Sequence, residues 1–237
     1  MKPFRCLLVD NDNTLMDFNK AEHYALLKTL QAFGLPADKD VEAYYCKVNQ
    51  GLWQALERGE TTQALLKVER FRLLLEELGR KDVFAVDLTE HYEEELSRCA
   101  YLLPGAREFV EQVSAVMPIA LVSNGVSRIQ RGRLALSPIT RYFSAVVISE
   151  EAGVSKPDPT MISLALEALG IEGTEGVVFL GDSLTADIAC ARAAGVESIW
   201  LAPPKGESAL ATYVVHSLAG AKRILLRGQG EGQKTRA

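Results

Sequence analysis

The sequence predicts an α/β fold in which a doubly wound parallel sheet carries an inserted bundle of helices. Three observations lead to this prediction. Apolar runs of strand length alternate with helical patterns after residue 102, which is typical of βαβ units and a parallel sheet. Residues 19–100 instead show nearly continuous helical periodicity. One more apolar run, at residues 4–9, precedes this helical block and matches the later strands in character.

The predicted strands are short apolar segments without alternation, as expected where helices cover both faces of a sheet. After the first strand they comprise residues 119–122, 145–148, 177–180 and 198–201. The predicted helices of this region lie near residues 105–116, 127–136, 159–169 and 185–194. The segment "LLPGA" at 102–106 breaks the chain with Pro and Gly where it returns to the sheet. This alternation of elements is Rossmann-like.

The helical block contains four segments, three of which end at a glycine, as helices commonly do. These glycines are Gly34, Gly59 and Gly79, and the fourth segment covers about residues 82–99. In the first segment the predicted apolar stripe consists of Ala21, Tyr24, Leu27 and Leu30. Four helices joined by short turns predict a small bundle that forms a cap domain.

These patterns divide the chain into three parts. Residues 1–15 and 101–227 are predicted to form an α/β catalytic core, and residues 16–100 a helical cap. The ending "GQGEGQKTRA", residues 228–237, is predicted to be a disordered tail because it has no large apolar side chain to pack.

Composition excludes several classes of protein. A net charge of -5 and a pI near 5.4 argue against binding to a nucleic-acid polymer. The apolar stretches are too short to span a bilayer, so no membrane association is expected. The four cysteines are far apart and form no C-x-x-C pair, which favours reduced thiols and a cytoplasmic location. We expect a monomer or a small homo-oligomer.

Polar residues follow the predicted strands at the places where ligands bind in open α/β sheets. "DNDNT" (Asp10 to Thr14) follows the first strand, and "SNG" (123–125) follows the second. "SKPDP", with Lys156, comes after the third strand, and "GDSLTAD", with Asp182 and Asp187, ends the fourth. One edge of the sheet should therefore collect acids, a lysine and hydroxyl or amide groups.

The residue types suggest different chemical roles for the side chains at this edge of the sheet. Asp10 and Asp12 are two positions apart, so in extended backbone both side chains can face one ligand. Two close carboxylates do not ionise together easily, which allows one to be a nucleophile and the other an acid or base. Oxygen ligands from several loops, with Asp182 among them, suit Mg²⁺. Lys156 and the polar groups of Ser123 and Asn124 can hold phosphoryl oxygens. Thr14 supports the turn or the phosphate through its hydroxyl.

In order and strand-end placement these segments resemble the four motifs of the haloacid dehalogenase-like hydrolases. "DNDNTL" resembles the first motif, Ser123 the second, Lys156 the third and "GDSLTAD" the fourth. The resemblance implies that Asp10 attacks phosphorus to form an aspartyl-phosphate, and that Asp12 protonates the leaving oxygen and then activates water. It also implies Mg²⁺ held by Asp10, the Asp12 backbone carbonyl and Asp182, with Asp187 supporting the metal or its waters. The helical insertion is similar to the family's type 1 cap, which closes over the substrate.

Other segments resemble one branch of this family, the nucleoside 5'-monophosphatases of the pyrimidine-nucleotidase type. They are "VNQGLW", "RF", "LLPGA", "SNG" and "VISEEAGVSKPDP". The expected activity is hydrolysis of a small phosphorylated metabolite, a nucleoside monophosphate. Alternatives are a phosphatase of small sugar phosphates or phosphoglycolate, and a non-catalytic phosphate-binding or protein-interaction module. Thr14 disfavours a phosphomutase of this fold, and Asp12 disfavours a dehalogenase.

Several of these residues also have plain structural interpretations. Asp10 and Asp12 could cap a turn, Ser123 could cap a helix, and Asp187 could be an acid in the first turn of a helix. Trp53 and Phe71 lie in apolar helical patterns and are expected in a core. Solvent-exposed positions are expected for Arg70 and for the basic run Arg128, Arg131 and Arg133.

Overall fold

The computed structural model describes residues 3–227 and confirms the predicted α/β fold. The strands are β1 Cys6–Val9, β2 Ile119–Ser123, β3 Ala145–Ile148, β4 Val177–Gly181, β5 Glu197–Leu201 and β6 Tyr213–Val215. Within the described residues they form a six-stranded sheet in the order β3-β2-β1-β4-β5-β6. All pairings are parallel.

The structure adds a strand that the sequence did not predict. β6 is only three residues long and lies between polar segments, so its apolar run is too short to stand out. It extends the sheet by pairing with β5, with Tyr213 opposite Ile199.

The helices follow in chain order, with a 3₁₀ turn at Thr140–Tyr142 and a π-helical turn at Leu184–Ile188. They are α1 Phe18–Ala32, α2 Lys39–Glu57, α3 Gln63–Glu77, α4 Ala85–Ser97, α5 Ala106–Ser114, α6 Ser127–Leu136, α7 Ser149–Ala152, α8 Thr160–Leu169, α9 Ala189–Ala194 and α10 Leu218–Leu225. No helix in residues 3–227 is both long enough and apolar enough to cross a membrane.

The first compact unit contains the sheet and combines Leu102–Gly125 with the described parts of Met1–Asp17 and Ser137–Ala237. Cys6 and Leu8 of β1 pack into an apolar cluster with side chains of α8 and α9. Leu7 and Val9 point to the other face and are equally buried. Both faces of β1 are therefore covered, which explains its uninterrupted apolar sequence.

The position of β1 determines which strand ends meet. It pairs with β2 on one side and with β4 on the other. Chain order reverses direction across the sheet at this point, and in open α/β sheets the crevice beyond such strand ends binds ligands.

The second compact unit consists of Phe18–Tyr101 and Val126–Leu136. Its core contains a group of three aromatic rings, Tyr45, Phe71 and Tyr92. The predicted core position of Phe71 is confirmed, and Trp53 is half-buried. In α1 the predicted stripe was wrong in part, because the buried face that packs on α4 carries Ala21, Ala25, Leu26 and Leu30. Tyr24 is 39% exposed and Leu27 only half-buried.

Helix α6 packs within the second unit, against α4. The predicted boundaries placed residues 126–136 in the α/β core, because helices of that region alternate with strands. A Cβ added to Gly132 would lie 2.8 Å from the Cβ of Ser97, so the glycine allows close approach of the two helices. The assignment of the units as catalytic core and cap stays a prediction, and the tail at 228–237 lies outside the described residues.

Two arginines of the second unit correct the predictions. Arg70 is 2% exposed, and its guanidinium carbon lies 4.6 Å from the centre of the Tyr92 ring. Arg133 is fully buried and donates from Nε to the Cys99 carbonyl at 3.0 Å. Arg128 and Arg131 are exposed as predicted. The sequence neighbours of Arg70 and Arg133 would suit a solvent-exposed helix face. Only the packing of the helices against one another decides which arginines are buried.

Candidate active site

Asp10 lies directly after β1 and is 6% exposed. Its backbone N–H donates to the carbonyl of Leu180 on β4 at 2.9 Å, so the sheet ladder extends to this residue. The carboxylate is therefore attached directly to the end of a strand that is paired on both sides, which suits a group that must be placed accurately.

The turn after Asp10 depends on two asparagines. The Asn11 carbonyl accepts from the N–H groups of Leu15 and Met16, at 2.9 Å each. Asn13 has a φ of 56°, in the left-handed region that asparagine tolerates better than most residues. Asp12 sits in this turn, half-buried, and its backbone forms a bridge with Met16.

Lys156 brings the third predicted segment to Asp10. The residue is 1% exposed. Its ammonium group donates to three acceptors: Asp10 Oδ1 at 2.7 Å, Asp187 Oδ1 at 2.7 Å and the Val122 carbonyl at 2.8 Å. Although burial opposes a charge here, the carboxylates of Asp10 and Asp187 outweigh it and raise the pKa of Lys156. The lysine therefore stays protonated and supplies a buried positive charge.

Asp187 lies in the π-helical turn after β4 and is 1% exposed. While Oδ1 accepts from Lys156, Oδ2 accepts from the backbone N–H of Ser183 at 3.0 Å. Gly181 makes room for this carboxylate, since an added Cβ would lie 2.2 Å from Asp187 Oδ2. The requirement for Gly181 could have been suspected from the "GDSLTAD" motif.

Asp182 follows β4 and is half-buried. Its backbone carbonyl accepts from the indole N–H of Trp200 on β5 at 2.7 Å. Gly181 and Trp200 are partners in the register of the two strands. The role of Trp200 was missed, because no motif in the sequence pairs a residue of β5 with this loop.

The acids form one cluster. Asp10, Asp182 and Asp187 each present a carboxylate oxygen within 4.8 Å of the others. Burial raises the pKa of Asp10, and the charges of Asp187 and Asp12 add to this effect while Lys156 opposes it. Burial likewise raises the pKa of Asp182, with Asp10 and Asp187 adding to it. One lysine thus faces several acids, and oxygen donors in this setting fit a divalent cation such as Mg²⁺.

The groups predicted to bind phosphate have different surroundings. Ser123 ends β2 and is 1% exposed. The Thr14 hydroxyl is buried and meets no hydrogen-bond partner within the part of the chain that the structure describes. The carboxamide of Asn124 bonds twice to the backbone of Lys156: Nδ2 donates to its carbonyl and Oδ1 accepts from its N–H, at 2.8 Å each.

The structure thus brings Asp10, Lys156, Asp182 and Asp187 into direct contact or close proximity, with Asn124 attached through Lys156. Together with Asn124, these residues come from four separate segments of the chain. A cluster of this kind, in which a buried cation lies among acids of raised pKa, is typical of a catalytic site.

Comparison with known proteins agrees with this interpretation. The family model described as haloacid dehalogenase-like hydrolase matches residues 4–195. The chain is 33% identical over 228 residues to the HAD-hydrolase YfnB of Bacillus subtilis, covering 95% of this chain and 97% of that protein. The magnesium-bound crystal structure of YfnB superposes with a TM-score of 0.88 at 32% identity, covering 94% and 99% of the two chains.

Two relatives carry the name of an activity. Pyrimidine 5'-nucleotidase PynA of Streptococcus pneumoniae is 32% identical over 218 residues, covering 90% of this chain and 92% of that protein. Pyrimidine 5'-nucleotidase YjjG of Escherichia coli is 30% identical over 186 residues, covering 77% and 81%.

Proposed function

Since the chain belongs to the haloacid dehalogenase-like hydrolases, we propose that it is a Mg²⁺-dependent phosphomonoesterase that acts on nucleoside 5'-monophosphates through an aspartyl-phosphate. The observation that carries the proposal is the contact of Lys156 Nζ with Asp10 Oδ1 at 2.7 Å. It joins the predicted nucleophile to a permanent positive charge next to the predicted phosphate position.

Asp10 is the proposed nucleophile. A carboxylate oxygen of Asp10 attacks phosphorus, and the bond between phosphorus and the ester oxygen breaks as Asp12 gives its proton to that oxygen. In the second step Asp12 takes a proton from water, whose oxygen attacks phosphorus. The bond between Asp10 and phosphorus breaks, which releases inorganic phosphate and restores both side chains.

Lys156 offsets charge during both steps. Its buried ammonium group can stabilise negative charge that develops on the phosphoryl oxygens, and such preorganised groups make large contributions to catalysis. Its three donors all have protein acceptors, so binding of a phosphoryl oxygen requires it to share or exchange one of them.

The residues fit a magnesium ion. Asp10, Asp182 and the backbone carbonyl of Asp12 would hold it, and the ion would supply positive charge that offsets the clustered carboxylates and the substrate phosphate. Both oxygens of Asp187 already accept hydrogen bonds. We therefore assign Asp187 the role of supporting the metal site by orienting Lys156 and the loop at Ser183.

The substrate class follows from two sources of support. The "VNQGLW" and "RF" segments resemble pyrimidine nucleotidases, and two relatives at 30% identity or more bear that name. The cytoplasmic location and the oligomeric state stay predictions.

A panel of phosphate monoesters tests the proposal. The purified chain with Mg²⁺ is assayed for release of inorganic phosphate from pyrimidine and purine 5'-monophosphates, sugar phosphates and phosphoglycolate, with Asp10→Asn as the inactive control. We expect kcat/KM for pyrimidine monophosphates to exceed that for sugar phosphates by about tenfold or more, which is a difference of about 1.4 kcal/mol in transition-state binding. A preference for sugar phosphates or phosphoglycolate would show that nucleoside 5'-monophosphates are not the substrate class. If none of the esters is hydrolysed, the proposal that the protein is a phosphomonoesterase is refuted.

A further inference from the structure

The side chain of Asn124 connects the end of β2 to the segment that follows β3. Its Nδ2 donates to the Lys156 carbonyl, and its Oδ1 accepts from the Lys156 N–H, both at 2.8 Å and across 32 positions of sequence. A carboxamide has a donor and an acceptor side by side. It can therefore pair with the backbone of one residue much as a neighbouring β-strand would.

The same strand end also holds the other end of Lys156. Nζ donates to the carbonyl of Val122, two residues before Asn124. Lysine carries its ammonium group on a flexible four-carbon stem. Because the stem is flexible, the side chain keeps one conformation only if both its ammonium group and its backbone are held in place. The two bonds from Asn124 provide that fixation at a point where Lys156 lies outside the sheet.

We propose that Asn124 is a positioning residue for Lys156, in place of the direct phosphate contact that the sequence predicts. The proposal rests on the proposed function, since it assumes that Lys156 assists the reaction at Asp10. Aspartate is closest in shape but would lose the donor to the Lys156 carbonyl, and serine would reach only one of the two backbone groups. Asparagine is thus suited to this position because of the pair of bonds.

Amide hydrogen exchange tests the contact without any enzyme assay. Exchange at the Lys156 N–H is followed by NMR in the full chain, in Asn124→Ala and in Asn124→Asp. The exposed Asn19→Ala variant is the matched control, since it removes a carboxamide outside the candidate site. We expect Asn124→Ala to speed exchange at Lys156 by about tenfold or more, with Asn124→Asp less affected because it keeps the acceptor. Unchanged exchange in Asn124→Ala would overturn the proposal.

A double-mutant cycle tests whether Asn124 acts through Lys156. The variants Asn124→Ala, Lys156→Met and the double variant are compared by kcat and KM on the best substrate of the panel. We expect Asn124→Ala to lower kcat/KM by about tenfold or more, and the double variant to match Lys156→Met within about twofold. Should Lys156→Met fail to fold, Lys156→Arg takes its place, because it keeps the buried positive charge.

The two tests separate the possible failures. Losses that multiply in the double variant would mean that Asn124 contacts substrate independently, which overturns the proposal. If the unaltered chain hydrolyses none of the esters, the proposed function fails. The exchange experiment would still decide whether Asn124 holds the backbone of Lys156.

Discussion

Lys156 and Asp10 are 146 positions apart in the chain, yet Nζ of the lysine lies 2.7 Å from Oδ1 of the aspartate. Both side chains are buried, and Lys156 also contacts Asp187 at 2.7 Å. The pair joins the ends of β1 and β4 to the segment after β3. Removing one partner of a buried pair typically costs about 3–5 kcal/mol when it leaves an uncompensated charge, but Asp187 keeps Lys156 paired when Asp10 is neutralised. The same contact is thus expected to serve the fold and the reaction.

Replacement of Asp10 by asparagine should abolish turnover while the protein stays folded. The amide is nearly isosteric, and burial already disfavours the charged form of Asp10, but an amide cannot attack phosphorus. We expect kcat to fall by about 10⁴-fold or more, as measured by phosphate release with Mg²⁺. Circular dichroism and the thermal midpoint serve as folding controls. Activity near that of the unaltered chain would reject Asp10 as the nucleophile.

Magnesium should stabilise the protein more at pH 8 than at pH 5. Burial raises the pKa of Asp10 from 3.8 to about 7 and that of Asp182 to about 8. Between about pH 4 and 8 the metal-free folded state therefore binds more protons than the unfolded chain, and these groups make the free energy of unfolding fall as pH rises. Mg²⁺ competes with those protons, so its effect should grow with pH.

Thermal unfolding between pH 5 and 8, with and without Mg²⁺, measures this dependence. Asp182→Asn is the control, because it removes one of the two acids of raised pKa and a proposed metal ligand. It should lose most of the pH-dependent part of the magnesium effect. Equal magnesium shifts at pH 5 and pH 8 in the unaltered chain would contradict the prediction.

Alanine at Gly181 should destabilise the protein and reduce activity. The added Cβ would lie 2.2 Å from Asp187 Oδ2, so the carboxylate that orients Lys156 must move. Overpacking of this kind typically costs about 1–3 kcal/mol. Urea unfolding and kcat/KM measure the two effects.

Gly51→Ala is the matched control for Gly181→Ala. Gly51 lies within α2, and a Cβ there meets no atom within 4 Å. Alanine should stabilise this helix by about 0.5–1 kcal/mol, and the free energies of unfolding of the two variants are compared. If Gly181→Ala behaved like Gly51→Ala, close approach of Asp187 would not explain the glycine.

Phenylalanine at Trp200 should weaken magnesium binding. The indole N–H donates to the Asp182 carbonyl at 2.7 Å, and phenylalanine removes the donor while it keeps an aromatic ring. Loss of a partner that orients a metal ligand typically weakens metal binding by about 10–100-fold. Isothermal titration with Mg²⁺ measures the affinity directly. The other tryptophan, Trp53 in the second unit, provides the control Trp53→Phe, which should bind Mg²⁺ normally. If Trp200→Phe binds Mg²⁺ with unchanged affinity, the hydrogen bond from Trp200 to Asp182 does not support the metal site.

Much of this molecule could be predicted from local pattern. The strand-length apolar runs at residues 119–122, 145–148 and 177–180 fall within β2, β3 and β4, because strands covered on both faces must be continuously apolar. The candidate site followed from the same logic, since polar residues after parallel strands collect at one edge of the sheet. Asp10, Lys156, Asp182 and Asp187 are all predicted in this way.

Other features depended on contacts between distant segments. The sequence by itself determined the fold class, the order of the motifs and the chemical groups available at the strand ends, because these follow from periodicity and residue type. Only the tertiary structure decided that Asn124 bonds to the backbone of Lys156, that Trp200 supports Asp182, and that Arg70 and Arg133 are buried. The physical reason is that a side chain's partners are selected by packing across the whole chain, and neighbours in sequence do not specify them.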